Sequence, residues 1–291
     1  MSGIPIPIGG KVSLPVLLLV GIAFFFLNGG FGGGGGSTFD VDAPLDQFPQ
    51  QPQQAPRGQD SVPGAAPADE GGQFVAQVTR DIEERWQQQF EAAGRAYDPV
   101  GPARTMAAAD DQPGPVVFSG RTDTACGPGS SSTGPFYCPR DERIYIDLSF
   151  YNELANRFGA SGDFARAYVL AHEVGHHVQH LLGIDRQVQQ LAQDNPGDRN
   201  DLSVRQELQA DCFAGVWAYS VYERQLLDDG DLEEGLAAAA AIGDDRIQEQ
   251  TTGRINPESW THGSSQQRKR WLRAGYESGD PNDCDTFSGD I

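Results

Sequence analysis

Basic residues are scarce. Only 21 lysines and arginines stand against 41 aspartates and glutamates, for a formal net charge of −20. A surface of that sign repels phosphate backbones, which sets nucleic acids aside as partners, and it disfavours close approach to an anionic membrane surface. Cysteine is sparse too. The four present, Cys126, Cys138, Cys212 and Cys284, contain no Cys-x-x-Cys spacing, which argues against a metal site built from cysteines. No internal repeat is found. Long uncharged apolar runs are missing with one exception near the N-terminus, and Phe24-Phe25-Phe26-Leu27-Asn28 at its end lacks the small-x-small cleavage site of a secretory leader.

That exception, Val12 to Leu27, reaches roughly 24 Å at about 1.5 Å per residue, and more if the Ile6 to Gly10 stretch joins it. Residues 1–28 are therefore expected to form an uncleaved membrane anchor. Lys11 ahead of the span and Asp40, Asp42 and Asp46 behind it place the N-terminus in the cytoplasm and the rest of the chain outside. Residues 29–71 carry the glycine run Gly32 to Gly36 and then proline, glutamine, alanine and aspartate, with few large apolar side chains. Such a composition cannot offset the entropy of ordering, so the segment reads as a flexible tether spanning about 35 to 40 Å. The remainder, 72–291, is long enough to bury one sizeable core.

This remainder is organised around His172-Glu173-Val174-Gly175-His176. On a helix, residues four apart share a face, so His172 and His176 can aim ring nitrogens at one metal ion, with Glu173 beside them. A helix is expected because Phe164, Tyr168, Ala171, Val174, Val178 and Leu182 recur at three- and four-residue spacing and supply an apolar stripe. Two imidazoles with an adjacent carboxylate suit Zn²⁺: the ion binds nitrogen and oxygen donors, keeps a position for water, and makes a water proton easier to remove. Glu173 can take that proton.

A further ligand is expected on the next helical pattern, Leu202 to Tyr222, whose stripe is Val204, Leu208, Cys212, Val216 and Tyr219. Glu207 and Asp211 are again four apart. Glu207 can complete the metal site, while Asp211 accepts a hydrogen bond from a ligand histidine and holds its ring.

Five stretches in order resemble a known family: Gly134-Pro135-Phe136-Tyr137-Cys138-Pro139, Ile144-Tyr145-Ile146-Asp147-Leu148-Ser149-Phe150, His172 to Gln179, Glu207-Leu208-Gln209-Ala210-Asp211-Cys212-Phe213-Ala214-Gly215, and Thr261-His262-Gly263-Ser264-Ser265. The family is that of bacterial neutral zinc metallopeptidases, membrane-anchored proteins with a gluzincin-like arrangement. The resemblance spans roughly residues 72 to 291 plus the anchor. It implies an α+β, mainly helical, zincin-like domain with a small sheet behind one transmembrane helix, and hydrolysis of peptide or protein substrates. His177, directly after His176, and His180 depart from the wider gluzincin pattern and offer alternative ligands.

Other elements follow from patterning. Gln73 to Ala92 carries Phe74, Val78, Ile82, Trp86 and Phe90 at four-residue spacing and is expected to be a core-facing helix. Val116 to Gly120 and Arg143 to Leu148 read as strands around a glycine-, serine- and proline-rich loop bracketed by Cys126 and Cys138. If Arg143 to Asp147 is a sheet edge, its free backbone groups could hold an extended peptide. Cys126 with Cys138 is the first-choice disulfide. Cys212 is either a small buried hydrophobe or the partner of Cys284. Asp231 to Ile242 is an alanine-rich helix, and Ser264 or Ser265 caps a last helix that packs Trp271 and Leu272 inward. His262, just before that helix, can donate to a developing oxyanion, with Tyr219 and Tyr222 as competitors.

The reading is thus a zinc endopeptidase with His172, His176 and Glu207 on the metal, Glu173 as proton shuttle and His262 as oxyanion donor. The alternative is a membrane-tethered scaffold with a structural zinc and no turnover. An intact Glu173 favours the enzyme, because a structural site has no use for that carboxylate.

Overall fold

The computed structural model of the chain describes residues 70–101 and 114–291. The expected anchor, and the tether up to residue 69, lie outside them. Among the described residues no helix is long and apolar enough to cross a membrane.

The chain runs α1 (Glu70–Ala92), β1 (Val116–Phe118), β2 (Arg121–Thr124), β3 (Gly127–Ser130), β4 (Phe136–Cys138), β5 (Arg143–Asp147), α2 (Ser149–Asn156), α3 (Asp163–Leu182), α4 (Ile184–Asp194), α5 (Arg199–Glu223), α6 (Asp231–Ala241), α7 (Asp244–Thr252) and α8 (Ser265–Ser278). This is an α+β fold, mainly helical with a small sheet.

In α1 the buried positions are Val75, Thr79, Ile82, Trp86 and Phe90, while Phe74 and Val78 are only partly covered. A four-residue step overshoots a full turn by about 40°. The line from Phe90 back through Ile82 therefore swings off the core before it reaches Val78 and Phe74, and Val75 and Thr79 take the inward places.

Three strands form one sheet in the order β1-β5-β4, with β1 parallel and β4 antiparallel to β5. β5 is therefore the middle strand, which corrects the expectation of an edge at Arg143 to Asp147. Its run Ile144 to Asp147 is buried on both faces, as befits a strand covered from either side. The stretch expected to be a loop holds the β2–β3 hairpin and β4. Cys126–Cys138 is bonded, and Cys212–Cys284 is as well, which settles the choice left open for Cys212.

The core sits around α3 and α5. Every residue from Ala167 to Gln179 and from Gln206 to Ala218 is buried, polar ones included. An apolar stripe describes half of each helix; the polar half is inside too and has to find partners there. Glycine lets these helices approach closely. A Cβ on Gly275 of α8 would lie 1.9 Å from the Cys212 carbonyl oxygen, so the α5 and α8 backbones touch. A Cβ on Gly175 would lie 3.0 Å from the Ala210 carbonyl oxygen, bringing α3 against α5 one residue from His176. The last helix opens on a capping box, with the Ser264 hydroxyl accepting from Gln267 N–H.

Candidate metal centre

His172 and His176 project from one face of α3, and Glu207 projects from α5 across the Gly175–Ala210 contact. One donor atom from each lies within 4.8 Å of the others, and all three residues are buried. His172 Nε2 is 3.2 Å from Glu207 Oε2, and His176 Nε2 is 3.5 Å from Glu207 Oε1. Both Nδ1 atoms face oxygen acceptors. His172 Nδ1 is 2.9 Å from Asp211 Oδ1, and His176 Nδ1 is 2.9 Å from Gln179 Oε1. Acceptors at Nδ1 favour a proton there and leave Nε2 of each ring turned toward Glu207. Gln179 is held in turn, donating to the Gln206 carbonyl at 2.7 Å and to Gln209 at 3.1 Å, while Gln209 donates to the carbonyl of disulfide-bonded Cys284 at 3.0 Å.

Asp211 is wholly buried and has three donors around it: Tyr168 hydroxyl at 2.5 Å, Arg268 Nε at 2.8 Å and Arg268 Nη2 at 2.9 Å, in addition to His172. Burial raises the Asp211 carboxyl, but Arg268 and His172 outweigh it and hold the group below its usual range. Burial disfavours charge on His172, yet Asp211 and Glu207 bring its pKa up to about 9. Arg268 and Tyr168 were not in the sequence-derived site. Tyr168 was read as part of an apolar stripe, and the one signal for Arg268 was indirect: a buried Asp211 requires a cation, and α5 offers none beside it.

Glu173 is fully buried, and no side chain is hydrogen-bonded to either carboxylate oxygen. Burial raises its pKa, the nearby His172 and His176 pull it down, and the net shift is upward. A carboxylate placed beside the metal ligands can both accept and return a proton. The backbone of Tyr137 in β4, an edge strand, also acts on it.

His262 lies beside the cluster, close enough to Glu207 for each to shift the other's pKa. Its Nδ1 is 3.0 Å from Thr261 Oγ1 and 3.3 Å from Asp244 Oδ1. Asp244, at the start of α7, also accepts the backbone N–H groups of Thr261, His262 and Gly263 at 2.7, 2.6 and 3.1 Å. Burial lowers the His262 pKa, Asp244 and Glu207 outweigh it, and the ring is held above its ordinary value. Asp244 was not foreseen; a carboxylate opening a short polar helix resembles an ordinary cap.

The other candidates lie elsewhere. His177 points away from the cluster, with Nδ1 2.9 Å from the Tyr137 hydroxyl and Nε2 2.7 Å from the Asp98 carbonyl, and burial lowers its pKa to about 4. His180 meets Asp185 at 2.6 Å and Glu142 at 3.7 Å. Tyr219 and Tyr222 stand twelve and fifteen residues along α5 from Glu207, roughly 18 to 22 Å at about 1.5 Å per residue, so neither can serve the same reacting centre.

Two imidazole nitrogens and a carboxylate, converging in a buried spot beside the Glu173 carboxylate, fit a zinc ion with one position left open. Fold and site together define a zinc-metallopeptidase-like protein. The chain belongs to the family described as "Putative neutral zinc metallopeptidase", which it matches over residues 3–287, and Zn²⁺ is the metal that family implies. It is 51% identical over 224 residues to "Uncharacterized protein YpfJ" of Escherichia coli K12, covering 77% of this chain and 74% of that one. It is 55% identical over 183 residues to "Uncharacterized protein Rv2575" of Mycobacterium tuberculosis H37Rv, covering 59% of this chain and 61% of that one. No solved structure matches the chain.

Proposed function

We propose that the chain is a membrane-anchored zinc endopeptidase: an anchor at 1–28, a tether from 29 that ends where α1 begins at Glu70, and a catalytic domain from there to 291 held outside the cytoplasmic membrane. The observation that carries the activity is Glu173, a buried carboxylate on the histidine helix with no side-chain hydrogen bond, within electrostatic reach of His172, His176 and Glu207. His172, His176 and Glu207 would hold the zinc, which when bound polarises a carbonyl and lowers the pKa of water.

Glu173 accepts the proton of the attacking water and returns it to the leaving amine. Asp211, fixed by Arg268 and Tyr168, holds the His172 ring in one tautomer. His262, braced by Asp244, donates to the oxygen on which charge develops. β4 is the edge strand whose Tyr137 backbone faces Glu173, so an extended substrate is held along β4 rather than along the central β5. Two disulfides support a domain exposed to an oxidising compartment. Protease added to cells without an outer barrier should cut the tether; protection there would place the domain inside.

Cleavage of a broad peptide library by wild type and Glu173→Gln, at matched zinc occupancy, tests the activity. Glutamine keeps the shape and should leave zinc and fold intact while cutting the rate by about 10² to 10⁴. Unimpaired cleavage by the variant would remove Glu173 from the mechanism. Zinc-loaded wild type that cleaves nothing would favour the scaffold with a structural metal.

A further inference from the structure

A cavity of about 290 Å³ lies between α2 and the first turns of α3, with Leu148, Tyr151, Asn152, Ser161 and Arg166 in its wall. Its size is at the lower end for ligand pockets, suited to one side chain or chain end rather than to a whole small molecule.

Arg166 sits between two aromatic rings, its guanidinium 4.5 Å from the Phe74 centroid and 4.7 Å from that of Tyr151. Such a sandwich fixes a planar cation without neutralising it. The Arg166 side chain is only part-buried at the cavity wall, and the hydroxyl of Tyr151, a residue only 7% exposed, has no hydrogen-bond partner. Among the described residues no carboxylate pairs with Arg166. An unneutralised guanidinium at a cavity wall points to an anionic acceptor that comes from outside.

The cavity is also aligned with the metal centre. Arg166 and Glu173 are seven residues apart on α3, which returns them to nearly one line about 10 Å apart, and helical side chains lean toward the N-terminus, so Glu173 leans toward the turn of Arg166. About 10 Å is two to three residues of extended chain, at roughly 3.3–3.6 Å each.

We propose that this cavity is a specificity pocket for a carboxylate of the peptide substrate, with Arg166 as the recognising cation. The proposal rests on the peptidase reading of the metal centre. The carboxylate is that of an acidic side chain or of the peptide's own C-terminus, which share this chemistry.

The test is equilibrium binding of fluorescent peptides to the zinc-loaded full chain carrying Glu173→Gln, beside hydrolysis by wild type. One arm compares glutamate with glutamine at each position; the other compares a free C-terminus with an amidated one. In one arm, at one position, the acid should bind about tenfold tighter or more, as expected of a charge-assisted hydrogen bond. Arg166→Gln should bring that ratio to about one, Arg166→Lys should retain part of it, and Arg166→Glu should invert it toward lysine; circular dichroism identifies any variant that fails to fold. Equal binding of acid and amide in both arms overturns the pocket, as does a ratio unchanged in Arg166→Gln. Binding with the expected ratio but no hydrolysis by wild type would defeat the peptidase reading and leave the pocket standing. Hydrolysis without acid preference would do the reverse.

Discussion

Replacing Arg268 with leucine tests whether the metal centre depends on a residue that touches no ligand carboxylate. Arg268 is fully buried and gives Asp211 two hydrogen bonds, at 2.8 and 2.9 Å, with further contacts to the Tyr168 hydroxyl at 3.2 Å and the Ile242 carbonyl at 3.3 Å. Removing it strands the Asp211 charge in a site with no water access. Breaking a buried pair from one side costs about 3–5 kcal/mol, and in a domain of this size each kcal/mol lowers Tm by about 2–4 °C, so a fall of roughly 6 to 20 °C is expected. Asp211 also orients His172, and loss of such support typically costs about 10- to 100-fold in metal affinity. Thermal unfolding of the metal-free protein and zinc competition against a chelator read the two effects separately. Adding Asp211→Asn to Arg268→Leu removes the stranded charge and should recover more than about 1 kcal/mol, since residues in one network do not add. A single variant within about 1 kcal/mol of wild type, or a double variant less stable than the single, would refute the argument.

The remaining expectations concern the ligands, one buried acid and the disulfides. His176→Ala and Glu207→Ala should lose most of the bound zinc by metal analysis, whereas His177→Ala and His180→Ala should keep it; retention in His176→Ala with loss in His180→Ala would reassign the site. Burial holds the Glu83 carboxyl at about 7, above its ordinary 4.5, although the Val100 N–H pulls it down. The folded chain therefore binds more protons than the unfolded one between those values, and stability present below about pH 4.5 is lost as pH rises to about 7. Glu83→Gln should match wild type at pH 4.5 and exceed it at pH 8 by up to about 3 kcal/mol in urea unfolding; parallel pH profiles would contradict this. The Cys212–Cys284 bond spans 72 residues and Cys126–Cys138 spans 12, so removing the first should cost about 4 kcal/mol and the second about 3. Denaturant midpoints in the opposite order would show that strain or unfolded-state structure outweighs loop closure.

What the sequence determined by itself is what helix geometry makes local. His172 with His176, and Glu207 with Asp211, are four apart, and four residues on a helix share a face whatever surrounds them. The individual helices follow from the same periodicities, the capped start of α8 from its serines, and the mainly helical α+β class is what the family resemblance implied. What only the tertiary structure decided is which of those faces meet. Gly175, Gly215 and Gly275 carry no side chain that a pattern could register, yet they bring α3, α5 and α8 into backbone contact and so deliver Arg268 to Asp211. β5 became the middle strand because, besides its neighbour β4, the distant β1 pairs with it from the other side, a choice that its alternating residues do not encode. Tyr219 and Tyr222 failed as oxyanion donors for a plain reason of length: they share a helix with Glu207 but lie several turns away. His262 reaches the metal centre only because Asp244, far from it in no local pattern, gathers three successive backbone N–H groups and holds the loop there.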